Sequence, residues 1–216
     1  MSDIKSDLAD LRSDYRRAAL DRGDVDADPL RQFSTWMDEA IRSAAREPTA
    51  MTLATVGADG RPAVRVVLLK GVDARGFVFF SNFDSAKGRD LTANPRAALV
   101  FFWVELERQV RVEGDVERVA AADADAYFAR RPRASRLSAM ASPQSQPVAD
   151  RGVLEARVAE LARQYPGDDL PRPPHWGGYR VLPRAVEFWQ GRPSRLHDRL
   201  RYARTAETWS IVRLAP

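Results

Sequence analysis

Between residues 50 and 119 the sequence settles into short runs separated by turns, and no other stretch limits the fold as much. Apolar, β-branched runs occupy 51–56, 63–70, 77–82, 97–104 and 108–119, with only turns or the short segment 85–93 between them. Parallel neighbours require long crossover connections, so runs this closely linked pair antiparallel and curl into a barrel or sandwich. Strands return at 179–190 and 208–214, which predicts that the N- and C-terminal parts share one sheet.

The second run, Arg65-Val66-Val67-Leu68-Leu69-Lys70, carries a cation at each end. Side chains alternate along a strand, so Val66 and Leu68 face one way and Val67 and Leu69 the other. Apolar cover is therefore expected on both faces, as for an inner strand. Arg65 and Lys70 beside apolar surface need counter-charges, because an unpaired buried cation is expensive. Carboxylates elsewhere in the chain or an anionic ligand must supply them. The two cations differ in parity, and a bulge, or Lys70 turning at the strand end, brings them to one side.

Helical spacing surrounds these runs. Residues 4–20 read as a helix in an N-terminal arm, with Arg12 and Tyr15 on one face. Asp28-Pro29 reads as a cap and first turn, opening a helix to about residue 45 whose Leu30, Phe33, Trp36, Met37, Ala40 and Ile41 make a core stripe. Further helices are expected at 121–130, 133–140 and 150–164, with a polar, proline-bounded loop over 141–147. No repeat or linker divides the 216 residues, so one domain is expected, with residues 1–45 as a helical arm.

Composition excludes several functions. Cysteine is absent and histidine occurs only at His175 and His197, so disulfides, thiol nucleophiles and a zinc centre are not expected, and no metal site is assigned. The net charge of +4 is too mild to make nucleic acid the default partner, while guanidinium groups suit small anions. No apolar run approaches the ~20 residues that cross a bilayer, and the start lacks the regions of a signal peptide, so no membrane partner and a cytoplasmic location are expected.

Three polar clusters could bind an anion. If Arg195-Leu196-His197-Asp198-Arg199 is extended, Arg195, His197 and Arg199 share a face; a surface loop with solvated arginines fits the same residues. Tyr127, Arg131 and Ser135 recur at four-residue steps. Pro132 breaks that helix, so Ser135 falls in the first turn of the next one, where free N–H groups favour phosphate. A capping serine beside an exposed arginine is the plain alternative. The third cluster runs from Ser81 to Lys87, where a strand end meets a short helix. Gln109 and Arg111 occupy the polar face of a strand, and Trp189 ends one. With no Walker, Rossmann or nucleophile-elbow fingerprint, the hard chemistry would fall to a bound cofactor.

Taken together, Arg-Val-Val-Leu-Leu-Lys, Phe-Phe-Ser-Asn, Leu-Glu-Arg-Gln-Val, Tyr-Phe-x-x-Arg-Pro-Arg-x-Ser, Trp-Gly-Gly-Tyr-Arg, Glu-Phe-Trp-Gln-Gly and Arg-Leu-His-Asp-Arg, in that order, resemble the pyridoxamine 5′-phosphate oxidase family. The resemblance runs from Leu11 to Pro216. It implies a β-barrel with flanking helices, the FMN-binding split β-barrel, assembled as a homodimer with FMN at the subunit interface. It also implies oxidation of pyridoxamine and pyridoxine 5′-phosphates by O2. FMN contacts are then expected from Arg65, Val66, Val67, Leu68, Leu69, Lys70, Phe80, Ser81, Lys87, Gln109, Gln144, Ser145, Trp189 and Arg199. Substrate contacts are expected from Lys70, Tyr127, Arg131 and Ser135 around the phosphate, and from Arg195, Leu196 and His197 near the reacting carbon. Arg195 and His197 are the expected catalytic pair, and Arg12 and Tyr15 look like the family's lid residues. Ala86 and Phe80 stand where the family commonly has arginine and tyrosine. A split-barrel flavin reductase with another substrate and a non-catalytic flavin or pyridoxal phosphate carrier are the competing readings.

Overall fold

Short links do join antiparallel neighbours in the computed structural model, which describes residues 14–206 and 208–216. β1 (Ala50–Val56) pairs antiparallel with β2 (Pro62–Leu68), placing Leu53 opposite Arg65, and also with β5 (Arg96–Trp103). β3 (Gly71–Asp73) pairs with β4 (Gly76–Asn82), and β4 with β7 (Trp176–Gln190). β7 in turn pairs with β8 (Asp198–Arg204), and β8 with β9 (Trp209–Arg213). With β6 (Arg108–Arg118) between β5 and β7, these strands form one nine-stranded sheet, so the N- and C-terminal parts do share a sheet.

The helices are α1 (Pro29–Arg42), α2 (Ala86–Ala93), α3 (Ala121–Arg130), α4 (Arg133–Ala141) and α5 (Arg151–Gln164). Asp28 caps α1 by accepting from the Leu30 N–H at 2.9 Å, with proline in the first turn as its sequence requires. Ser85 caps α2, and Asp150 caps α5 through the Val153 N–H. Among the described residues no helix is long and apolar enough to cross a membrane.

The chain forms two compact units. One comprises Met1–Pro48, Phe101–Arg111 and Ala185–Pro216. Its core sets Phe33 against Phe101 at 4.8 Å between ring centroids, and Trp36 edge-on to Phe188 at 5.1 Å. The other comprises Thr49–Val100 and Val112–Arg184, with Phe128, Leu137, Leu161, Leu170 and Trp176 as a core under α3, α4 and α5. In that unit a methyl on Gly88 would lie 2.0 Å from the Phe83 carbonyl oxygen, so glycine is what lets α2 sit directly on the end of β4.

Four expectations change. Among the described residues β2 is an edge strand of the sheet, paired only with β1, and leaves Val64 and Val66 69% and 67% exposed; its apolar run is not evidence of an inner position. Residues 14–20 are irregular, while the rest of the helix expected over 4–20 lies outside the described residues. β3 and β8 were not anticipated. The segment 195–199 is not extended: Pro193–Arg195 makes a 3-10 turn in which Ser194 and Arg195 have φ of 55° and 61°, and β8 starts only at Asp198. Arg195, His197 and Arg199 therefore do not alternate along one strand.

Candidate active site

The cation at the start of the second run is held from within its own unit. Arg65 donates through Nη1 to Thr55 Oγ1 on the neighbouring strand and to the carbonyl of Ala63 at 3.2 Å. Thr55 passes its own hydroxyl hydrogen to Asp90 Oδ2 at 2.6 Å, and Asp90 lies 3.5 Å from Arg65 Nη2. The counter-charge for Arg65 is thus Asp90, on α2. At the other end of the run β2 stops at Leu68; the Leu69 N–H bonds Thr49 and the Lys70 N–H bonds Val78. That turn at the strand end brings Lys70 to the same cavity as Arg65 despite their parity.

The cavity has a volume of about 790 Å³. Of the expected cofactor and substrate residues, Arg65, Val66, Val67, Leu68, Lys70, Phe80, Ser81, Lys87, Tyr127, Arg131, Ser135, Gln144 and Ser145 line it. Four cations and no carboxylate are among its lining residues. Leu69 turns into the core instead.

At one end Lys87 is 9% exposed and donates to Gln144 Oε1 at 3.1 Å and Ser85 Oγ at 3.3 Å; Ser81 Oγ donates to the same Gln144 oxygen at 3.3 Å. Burial, then the neighbouring Arg65 charge, lower the Lys87 pKa, against the opposing pull of Asp90. On the connection between α3 and α4, Arg131 lies 4.7 Å over the Trp176 ring, and among the described residues its buried Nη1 has no hydrogen-bond partner. Burial lowers its pKa and raises that of Tyr127. Tyr127 stacks on Phe80 at 4.0 Å. Phe80 owes its place to the strand opposite, since a methyl on Gly178 would come within 2.8 Å of its ring. Ser135 stands in the first turn of α4, as the interrupted spacing required.

The remaining predicted residues belong to the other unit. Trp189 and His197 pack at 4.6 Å, and Tyr15 meets both rings edge-on at 5.7 and 5.8 Å. His197 Nδ1 accepts from the Arg192 N–H at 3.1 Å, and burial, followed by the Arg195 charge, lowers its pKa. Arg195 and Leu196 are exposed. Arg199 is gripped by Glu187, Nε to Oε1 at 2.8 Å and Nη2 to Oε2 at 3.1 Å, which raises its pKa. Gln109 lies half-buried near the start of β6. Arg12 lies outside the described residues.

Sequence reading missed Thr55, Asp90, Asn82 and Trp176. Asp90 follows Lys87 by three positions on a helix, a spacing that places both on one face, and this was the available signal.

An antiparallel sheet flanked by helices and carrying a cation-lined cavity is the architecture of the split β-barrel class of proteins, to which the chain belongs. The family described as pyridoxamine 5′-phosphate oxidase matches residues 37–165, and one described as the pyridoxine 5′-phosphate oxidase C-terminal dimerisation region matches residues 176–216. The chain is 61% identical to a pyridoxine/pyridoxamine 5′-phosphate oxidase of Cupriavidus metallidurans, over 97% of this chain and 99% of that one. It is 59% identical to a protein of the same name from Burkholderia lata, with the same coverage. Among solved structures it resembles PhzG from Burkholderia lata in complex with tetrahydrophenazine-1-carboxylic acid, with a TM-score of 0.88, 33% identity and coverage of 94% and 100% of the two chains. A pyridoxamine 5′-phosphate oxidase-related, FMN-binding protein from Nostoc punctiforme shares the fold at a TM-score of 0.70 and 22% identity, covering 88% and 98%. The chain belongs to the pyridoxamine 5′-phosphate oxidase family of oxidoreductases.

Proposed function

We propose that this protein is an FMN-dependent oxidase that converts pyridoxamine and pyridoxine 5′-phosphates to pyridoxal 5′-phosphate in the making and salvage of that cofactor. With the amine, one O2 and one water are consumed and ammonia and hydrogen peroxide released; with the alcohol, O2 is consumed and hydrogen peroxide released. The observation that carries this reading is the cavity with four lining cations and no lining carboxylate. Among the described residues buried Lys87 bonds only neutral oxygens and Arg131 Nη1 bonds none, so both ask for an anion.

Those residues fit a phosphorylated flavin beside a phosphorylated pyridine. Arg65, Ser81, Lys87, Gln144 and Ser145 would hold the flavin, and Gln109, Trp189 and Arg199 are assigned to it as well. FMN supplies a two-electron acceptor that returns its electrons to O2. Lys70, Tyr127, Arg131 and Ser135 clamp the substrate phosphate, which fixes the orientation on which transfer depends. Arg195 and His197 orient the amine or alcohol at the reacting carbon. Tyr15, already against Trp189 and His197, covers that group, and Arg12 is assigned the same lid role.

The protein works as a homodimer with FMN at the interface, in the cytoplasm. The exposed apolar row Val64, Val66 and Leu68 on edge strand β2 and the match to a dimerisation region support pairing of two copies. The likeness to PhzG favours a second reading, oxidation of a reduced tricyclic aromatic acid. One experiment separates them: purified protein reconstituted with FMN is mixed anaerobically with pyridoxamine 5′-phosphate. Bleaching of the flavin absorbance is expected. Bleaching only by tetrahydrophenazine-1-carboxylic acid establishes the second reading, and a yellow protein that neither compound bleaches is a reductase for another substrate or a flavin carrier.

A further inference from the structure

Arg65 is assigned to the cofactor above, yet nothing in that assignment explains how a long, flexible side chain on an edge strand is kept aimed. The bonds around it answer this. Thr55, 1% exposed on β1, has one hydroxyl hydrogen and spends it on Asp90, so only its lone pairs remain to receive the Arg65 guanidinium. The Leu53 carbonyl at 3.4 Å and the Ala63 carbonyl at 3.2 Å receive the same Nη1. Among the described residues the hydrogen bonds of Arg65 run through Nη1 and Nη2, and the residue also lines the cavity. Asp90 stands behind this chain on α2, one turn beyond Lys87, and is not among the residues that line the cavity. A carboxylate at the lining would repel a phosphate; one turn behind it can orient the cations while leaving their front open.

We propose that Asp90, linked through Thr55, is a positioning residue that fixes Arg65 for the phosphate of the cofactor. The arrangement spends the guanidinium's rotamer freedom on folding rather than on binding, so cofactor capture loses little entropy. This rests on the reading that FMN occupies the cavity.

The test is titration of the apoprotein with FMN, followed by flavin fluorescence, with riboflavin as the probe that lacks the phosphate. Asp90→Asn and Thr55→Val should each raise the FMN dissociation constant about tenfold, the effect of one weakened charge-assisted hydrogen bond. Riboflavin affinity should stay unchanged, as should KM for pyridoxamine 5′-phosphate at saturating FMN, while Thr55→Ser, which keeps the hydroxyl, should bind FMN like the wild type. Should Asp90→Asn not fold, Thr55→Val decides, because valine fills the same buried space. Wild-type FMN affinity in Thr55→Val, or an equal loss of FMN and riboflavin, overturns the proposal. A wild-type protein that does not bind FMN at all overturns the reading beneath it and the proposal together.

Discussion

The arginines around Glu187 and Asp198 and the cations Lys87 and Arg131 at the cavity meet opposite surroundings. In the unit built from both chain ends, Glu187 takes Arg199 with two bonds and lies 3.5 Å from Arg111, while Asp198 takes Arg213 and lies 3.4 Å from Arg192. Arg108 meets Glu39 and stacks over Trp36. In the other unit, Lys87 and Arg131 approach a cavity with no carboxylate at its wall. A carboxylate beside a cation contributes to the fold; where the cavity wall offers none, the cation's charge is left for something that arrives later. The number of arginines therefore says little about binding, and the whereabouts of their partners says much.

Substitutions that exchange these two conditions should separate affinity from stability. The largest effect is expected from Lys87→Met, which removes the buried charge at the flavin end: FMN affinity should fall about a hundredfold, near 2.7 kcal/mol, by fluorescence titration. The thermal midpoint of the apoprotein should not fall. Glu187→Gln should act on the fold, lowering stability by about 2 kcal/mol, roughly 6 °C in the thermal midpoint, because Arg199 and Arg111 lose a nearly buried partner; Arg199 is a quarter exposed, which tempers the loss. Arg131→Met should raise KM for pyridoxamine 5′-phosphate about tenfold with kcat nearly unchanged, again at no cost in stability, whereas Arg195→Ala should lower kcat as well. If Arg131→Met melts as early as Glu187→Gln, the contrast between the two regions fails.

The pH dependence sharpens the same contrast. The Lys87 pKa lies below its ordinary 10.5 in the ligand-free protein, through burial and the charge of Arg65, with Asp90 opposing. A lowered pKa on a base means that the protonated form disfavours folding, so apoprotein stability should rise as pH climbs through that value toward 10.5. Phosphate binding prefers the protonated lysine, so FMN affinity should fall across the same window. Matched melting and titration series show whether the slopes oppose. The smallest effect is expected from Gly178→Ala, whose methyl would displace Phe80 and, with it, Tyr127; KM should rise about threefold, less than 1 kcal/mol.

Sequence alone revealed these elements unevenly. Turn residues and period made β1, β4, β5 and β6 plain, and Asp28-Pro29 marked the start of α1. β8 was obscured because Arg199-Leu200-Arg201-Tyr202 alternates charge with core; Leu200 and Tyr202 are almost fully buried, so the alternation was itself the signal. β2 misled for a different reason: apolar residues report that a face is to be covered, not which chain covers it. The cavity residues were legible as three separate clusters, and their meeting was not, since Lys87 and Gln144 are joined by tertiary contact across 57 positions. For Asp90 the three-residue step from Lys87 gave its helix face and not its use, which depends on β1 and β2 lying side by side.

Gly88 has a final consequence. With the Phe83 carbonyl where a side chain would be, α2 sits hard against the strand end, and Ser85 and Gln144 hold the Lys87 ammonium before any guest arrives. Capture should then proceed at the pace of diffusion and desolvation, in a single kinetic phase with no slow rearrangement after encounter.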